Sequence, residues 1–435
     1  DPRRYLPVVP TRWEGVECMN YSPLVYALGQ ENIAVTGPGV LDGQADHEHW
    51  WPWCGSPLFG ARAGAPHQAP ARRELFRMGD EDVPVARRVF GEGGFLRPGF
   101  LQFYRCRNVL LEGVTVRRAP MWQIHPVLCT NVTVRGVSMV SHGPNNDGCN
   151  PESSRDVLIE ECHFDTGDDC IAVKSGRNRD GRRVAVPSEN IVVRRCRMKD
   201  GHGGVTIGSE ASGGVRGVYA EGCSMDSPNL ERALRLKTNS VRGGFIEHVY
   251  MRDVTVGQVS DAVLRIDLFY EEGDAGRFPP RVRHIEMRNV TSRKSRYALY
   301  LRGYEEFVHH SVVLRQGPIP ACARIGFRVR TPDDLDLAER FFGERGCPVQ
   351  RVPAGATLGL GPAVRAVDPL GFTIELVHEM QRVEPLVQRY DLRHGASINR
   401  LDHVNIAIPD VAAAYDHYTA LGFGLSETIE DTSDG

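Results

Sequence analysis

No stretch of the chain stays apolar for the roughly 18 residues that a membrane helix needs, and the N-terminus lacks the charged, apolar and small-residue succession of a secretory leader. Neither sign of charge dominates. A net charge of −3 lacks the basic excess that nucleic acid or an anionic membrane would select, so neither is expected as a partner. The eleven cysteines include no C-x-x-C pair, and an odd number spread this way does not suit a disulfide framework. What remains is a chain 41% hydrophobic, with enough material for a sizeable core and a length that suits two or three domains.

What the chain does have is a repeat. NVLLEGVTV from Asn108 recurs as NVTVRGVSM from Asn131, DVLIEECHF from Asp156, NIVVRRCRM from Asn190, GVYAEGCSM from Gly217, HVYMRDVTV from His248 and HIEMRNVTS from His284. Each copy is a turn residue followed by alternating apolar and polar positions, the pattern of a short strand with one buried face. The intervals of 23, 25, 34, 27, 31 and 36 residues are too uneven for propeller blades. They suit a parallel β-helix, whose turns stack at about 4.8 Å while their loops vary in length. Val114, Val137, Cys162, Cys196, Cys223, Val254 and Val290 occupy one place in the seven copies. Valine replaces cysteine freely there, which favours a buried column of small apolar groups over a metal or redox site.

A second strand recurs as CIAVKS from Cys170, GVTIGS from Gly204, ALRLKT from Ala233 and ALYLRG from Ala298. Residues two apart on a strand share a face, so Arg235 and Lys237 project together. Four short motifs fall on consecutive turns: NNDG at Asn145–Gly148, GDDC at Gly167–Cys170, GHG at Gly201–Gly203 and RLK at Arg235–Lys237. Asp168 and His202 lie at the same distance from the start of their own turns, so the repeat stacks one above the other.

Glycoside hydrolysis asks for one protonated and one ionised carboxyl. Crowding can supply the difference, because carboxylates a few ångströms apart do not all ionise and one becomes the acid. Asp168 and Asp169 can both reach a cleft only if the chain bends between them, and the preceding glycine allows a bend. Arg235 and Lys237, facing the acids one turn away, suit a negatively charged substrate such as galacturonate. The segment RNRDGRR, Arg177–Arg183, reads as a loop whose cations either join that cleft or are simply solvated.

These residues resemble the polygalacturonase-like glycoside hydrolases, family 28, whose pattern N-T-D, G-x-D-D, G-H-G, R-I-K is matched in order by NND, GDD, GHG and RLK. Asn146 stands for the family's threonine and Leu236 for its isoleucine. The resemblance covers about residues 5–303, with SPLVYA from Ser22, GVLDGQ from Gly39 and LRPGFLQF from Leu96. It implies a mainly β fold, a right-handed parallel β-helix of the pectin-lyase-like type, and no cofactor. Asp168 would be the general acid, Asp147 and Asp169 would position and activate water, His202 would tune the acid, and Arg235 with Lys237 would bind the substrate carboxylate. The family inverts configuration, for which acid and base stand about 6.5 to 9.5 Å apart. Its members open with further turns, so residues 1–303 are expected to be an N-terminally truncated hydrolase domain. The family favours a secreted or periplasmic setting, with an acidic pectin-like glycan as partner.

Beyond Arg302 the text changes to EEFVHHSVVLRQGP, a helix-like DDLDLAERFFGERG and a closing AVRAVDPLGFTIELVHE. This is similar to the vicinal-oxygen-chelate fold of homoprotocatechuate-type extradiol dioxygenases. A partial α+β module, βαβββ, is expected over residues 304–393, and the start of a second, truncated one over 394–435, opening at RLDHVNIAIPDV. That family holds Fe(II) with two histidines and a glutamate. His403 matches the first ligand and the other two would lie beyond Gly435, so the site is incomplete. His309 and His310 are expected to be structural and to face opposite ways. The seam near Ala298–Gly303 suits either family, and a chimera is expected, by gene fusion or by an error in joining two genes; long-read sequencing across it separates the two. The activities in view are thus an inverting hydrolase acting on α-1,4-galacturonosidic bonds, a ring-cleaving dioxygenase, and a non-catalytic sugar-binding β-helix.

Overall fold

Each copy of the repeat opens on a residue in the left-handed region: Asn32, Asn108, Asn131, Asp156, Asn190, His248 and His284 have φ of 54° to 58°. Short polar side chains and glycine tolerate that conformation best, which is why this place is so rarely apolar. The side chains then cross-link the turns. Asn108 donates to Asn32 at 2.7 Å, Asn131 to Asn108 at 2.9 Å, and Asn190 to Asp156 at 2.7 Å. The computed structural model describes residues 1–295, 299–301, 303, 305–314, 321–385, 387–388, 400–401 and 408–424.

From this ladder the chain winds as a parallel β-helix. The strand Thr130–Arg135 lies between Arg107–Glu112 and Arg155–Glu160, and the series continues through Ser188–Arg194, Val215–Glu221, Phe245–Gln258 and Arg281–Lys294. In-register pairing sets Val109, Val132, Val157, Ile191, Val218 and Val249 in one buried column. Replacing Ile191 of this column by alanine would cost about 2–5 kcal/mol. Cys162, Cys196 and Cys223 lie buried in a parallel column and donate to backbone carbonyls. Val290, at the last turn of that column, is only partly buried.

A further sheet of the coil contains Val25–Leu28, Leu101–Tyr104 and Ile124–Val127, bridges at Cys149 and Glu152, and then Ile171–Val173, Val205–Gly208, Arg232–Lys237 and Ala262–Asp267. Within ALYLRG, expected as a rung, Leu299–Leu301 pairs antiparallel with Val312–Leu314, because a short connection returns a strand antiparallel whereas a parallel rung needs a full turn of coil. An antiparallel hairpin, Val9–Trp13 and Val16–Asn20, lies apart from the repeat; Trp13 and Val16 pack with Leu75 of the helix Ala69–Asp80.

The chain divides into two compact units, Asp1–Ala298 and Leu299–Gly435. In the second, Ile325–Arg328, the helix Asp334–Glu344, Val349–Val352, Ala363–Val367 and Thr373–Val377 form a βαβββ module. Leu335, Ala338 and Phe342, at helical spacing, bury one face of the helix against Val364, Ala366, Ile374 and Leu376. The expected boundary at residues 393/394 lies outside the described residues.

Candidate active site

The sheet that contains Arg232–Lys237 turns its outer face to a cleft of about 390 Å³. Its earlier rungs are covered. Gln102, His125 and Glu152 point outward from them yet are buried. The hairpin overlies them: Arg12 lies 3.2 Å from Glu152 and Thr11 bonds to Gln102, while His125 Nε2 sits 2.7 Å from Glu152. The cleft lies beside this hairpin, where the four motifs gather.

Asp147 immediately precedes one rung and the Asp168–Asp169 pair the next, and oxygens of the three carboxylates lie within 4.8 Å of one another. Rung spacing sets that proximity. One oxygen of each thus comes closer to the others than the 6.5 to 9.5 Å expected between the acid and base of an inverting enzyme. The bend between Asp168 and Asp169 is present: Asp168 Oδ1 accepts the Asp169 N–H at 2.9 Å, and Thr166 Oγ1 donates to the Asp168 carbonyl at 2.8 Å. Gly167 is needed there for space, since a Cβ would stand 2.6 Å from the carbonyl oxygen of Gly143.

The three acids have different surroundings. Asp169 is enclosed, taking hydrogen bonds from Lys237 Nζ at 2.8 Å, Thr206 Oγ1 at 2.9 Å and Arg235 Nη1 at 3.5 Å. Asp147 accepts from Asn150 Nδ2 at 3.1 Å, with Lys174 Nζ 3.9 Å away. Asp168 Oδ1 lies 3.0 Å from His202 Nδ1. Its side chain is 19% exposed, against 4% for Asp147 and 1% for Asp169, so Asp168 is the carboxyl at the cleft surface.

Burial, and then the charge of Asp168, push the Asp147 carboxyl well above its usual range. Burial also acts to raise Asp168, but the hydrogen bond and charge of His202, with Lys237, outweigh it and hold that carboxyl below the usual range. The bond to Asp168 in turn lifts His202 to about 9. Burial, helped by crowding, thus raises Asp147. Asp168, to which the resemblance gives the acid's role, rests as a carboxylate against an imidazolium.

The cations also depart from expectation. Val205–Gly208 pairs with Ile171–Val173 on one side and Arg232–Lys237 on the other, so Arg235 and Lys237 stand two rungs from the aspartate pair, not one. Lys237 is committed to Asp169. Arg235 has a buried Nε without a partner and lies beside the Tyr270 ring, its Cζ 5.5 Å from the centroid. RNRDGRR is not a loop: Asn178–Val184 is helical, Arg183 pairs with Glu17 and Asp180, and Arg177 pairs with Glu210, Glu271 and Glu272. Intramolecular acids take up these charges.

Lys174 and Glu210 were not singled out from the sequence, though both line the cleft, 2.9 Å apart. The alignment of CIAVKS with ALRLKT held the signal for the lysine, since it sets Lys174 in the column of Lys237. Glu210 lies past the end of GVTIGS and had no repeat to mark it. Arg97, in LRPGFLQF, is wholly buried and donates to the carbonyls of Pro120 and Pro144 and to Asn145 Oδ1, fixing the loop that leads to Asp147.

In the second unit His403 lies outside the described residues. Among those described, no three potential metal ligands gather there. His309 and His310 face each other, Nδ1 to Nδ1 at 3.0 Å with rings at 88°, because they lie in a bend and not on a strand. Burial, then the neighbouring His309, lowers His310 to about 4.

Comparison with known proteins gives two matches in succession. The model of glycosyl hydrolases family 28 matches residues 91–312, half of the chain. The chain belongs to this family. A catechol 2,3-dioxygenase-like N-terminal domain matches residues 324–381. A probable polygalacturonase of Vitis vinifera is 33% identical over 169 residues, covering 38% of this chain and 34% of that protein. The structure of a hyperthermoactive exopolygalacturonase from Thermotoga maritima is 54% identical, with a TM-score of 0.66, over 67% of this chain and 66% of that one. A homoprotocatechuate 2,3-dioxygenase from Arthrobacter globiformis is 47% identical over 31% of this chain and 41% of its own, with a TM-score of 0.30. The chain spans between a third and a half of the length of the first curated relatives it matches.

Proposed function

We propose that the first unit is an inverting glycosidase that cleaves α-1,4-galacturonosidic bonds at the end of a pectin-like chain. The observation that carries this reading is the stack of three carboxylates in a cleft, beside the end that the hairpin roofs. Asp168, the carboxyl at the surface, meets the leaving oxygen. Its proton is held jointly with His202 and crosses their 3.0 Å contact as the bond breaks. Asp147 and Asp169 are too recessed to touch an anomeric carbon, so a water must stand between them and the sugar. Recess thereby does what a wide separation does in other inverting enzymes, leaving room for water and none for a glycosyl–enzyme bond. The acid and base groups are the chain's own, and no cofactor is called for.

Arg235, with its unpartnered Nε, suits the carboxylate of an acidic sugar. The hairpin supports action at a chain end. Its tip, Glu14, pairs with Arg72 at 2.8 Å at the cleft margin, and a polymer running through would meet that wall. A polymeric acidic glycan is met outside the cytoplasm, which supports a secreted or periplasmic setting. Among the described residues no helix is long and apolar enough to cross a membrane.

The test is to incubate the protein with polygalacturonate and follow released sugars by chromatography and product anomers by NMR. Galacturonate monomer of inverted configuration is expected. A retained anomer would overturn the water-held mechanism, and no release at all would leave a sugar-binding β-helix.

A further inference from the structure

Asp147 stands among like charges. Asp168 and Asp169 approach within 4.8 Å, and Lys237, the nearest cation beyond them, is engaged by Asp169 at 2.8 Å. Among the described residues one cation lies within ion-pair distance of Asp147, namely Lys174, with Nζ 3.9 Å from Oδ2. Lys174 cannot swing closer. Its ammonium donates to Glu210 at 2.9 Å and to the Gly208 carbonyl at 3.3 Å, and rests 4.6 Å from the centre of the Trp122 ring.

Glu210 does not depend on this lysine alone, since Arg177 Nη1 lies 3.5 Å away and Ser209 Oγ donates at 3.2 Å. A lysine here therefore does more than neutralise a buried glutamate. The contrast with Asp169 is informative. A lysine at 2.8 Å locks that carboxylate, whereas one held back at 3.9 Å attracts a proton acceptor without occupying it.

Resting on the hydrolase reading above, we propose that Lys174 is a positioning residue for the hydrolytic step: anchored by Glu210, it supplies the counter-charge that lets Asp147 act as base. In that step the water oxygen bonds to the anomeric carbon as the glycosidic C–O bond breaks, one water proton passes to the Asp147 carboxylate, and the leaving oxygen takes through Asp168 the proton held jointly with His202. The charged groups facing Asp147 are Asp168, Asp169, Lys174 and Lys237, with the Asn150 amide as hydrogen-bond donor. Lys174 is the member of that set whose charge is held close but not bonded to a catalytic acid.

The experiment compares full-length unmodified protein with Lys174→Met, Lys174→Arg and Glu210→Gln. On polygalacturonate, Lys174→Met should move the acid limb of kcat up by about one pH unit, with KM changed by no more than about twofold. Lys174→Arg should restore most of the limb, and Glu210→Gln, which frees the ammonium, should move it down. An unmoved acid limb, or a loss of kcat equal at every pH, overturns the proposal. Carbon-13 NMR of the Asp147 carboxyl gives the same answer without turnover. If the unmodified protein releases no sugar, the hydrolase reading fails, while the titrations of Asp147 in these variants still decide whether Lys174 governs it. Should Lys174→Met not fold, Lys174→Arg and Glu210→Gln carry the test.

Discussion

Lys237 Nζ lies 2.8 Å from Asp169 Oδ2 across 68 residues of sequence. The lysine side chain is 8% exposed and the aspartate 1%, so each depends on the other for a counter-charge. Lys237→Met would leave the carboxylate buried with the neutral Thr206 hydroxyl and only the weaker charged contact from Arg235. A loss of about 3–5 kcal/mol in denaturant unfolding is expected. Asp169→Asn combined with Lys237→Met should recover most of that stability and none of the activity. Equal unfolding midpoints for the unmodified and Lys237→Met proteins would show that the pair is not buried as described.

Asp168→Asn keeps the shape of the surface carboxyl and removes its ability to pass a proton. Release of reducing ends from polygalacturonate should fall by at least about 10²–10⁴-fold. Substrate binding, measured calorimetrically, should persist, because the cation at Arg235 is untouched. Undiminished turnover would remove Asp168 from the mechanism.

His202 predicts an alkaline limit. Its hydrogen bond to Asp168 raises it to about 9, so the charged ring is favoured in the folded protein. The stabilisation is complete below the ordinary histidine value of about 6.5 and is lost as pH rises through the folded value. Turnover and thermal midpoint should therefore both decline towards pH 9. In His202→Asn the midpoint should no longer show that decline, which differential scanning calorimetry across the pH range can check.

The roof predicts the product pattern. Glu14→Ala with Arg72→Ala removes the ion pair at the hairpin tip and opens the closed end of the cleft. Oligogalacturonates should then appear beside monomer in chromatograms of the digest. A digest that still contains monomer alone would mean that the hairpin tip does not set the mode of cleavage.

Much of this was legible in the residues themselves. Asn108, Asn131, Asp156 and Asn190 mark the turns because few side chains accept positive φ, and the alternation after them follows from a strand with one buried face. NND, GDD, GHG and RLK could be placed on adjoining turns by that repeat alone. Other features were not legible. ALYLRG fits the rung pattern as well as CIAVKS does, yet Leu299–Leu301 within it pairs antiparallel with Val312–Leu314, since pattern carries no information about which neighbour a strand meets. RNRDGRR could not be told from a solvated loop, because Glu17 and Glu271, which take up its charges, are remote in sequence.

The sequence by itself determined the ladder and the chemical groups mounted on it, because strand period and turn conformation are local properties. Only the tertiary structure decided what those groups can do. Rung spacing holds three carboxylates within 4.8 Å, Lys237 closes Asp169, His202 charges Asp168, and the hairpin around Glu14 ends the cleft. Exposure and protonation depend on whichever side chains arrive from other turns. Those distances are set by stacking and not by order along the chain.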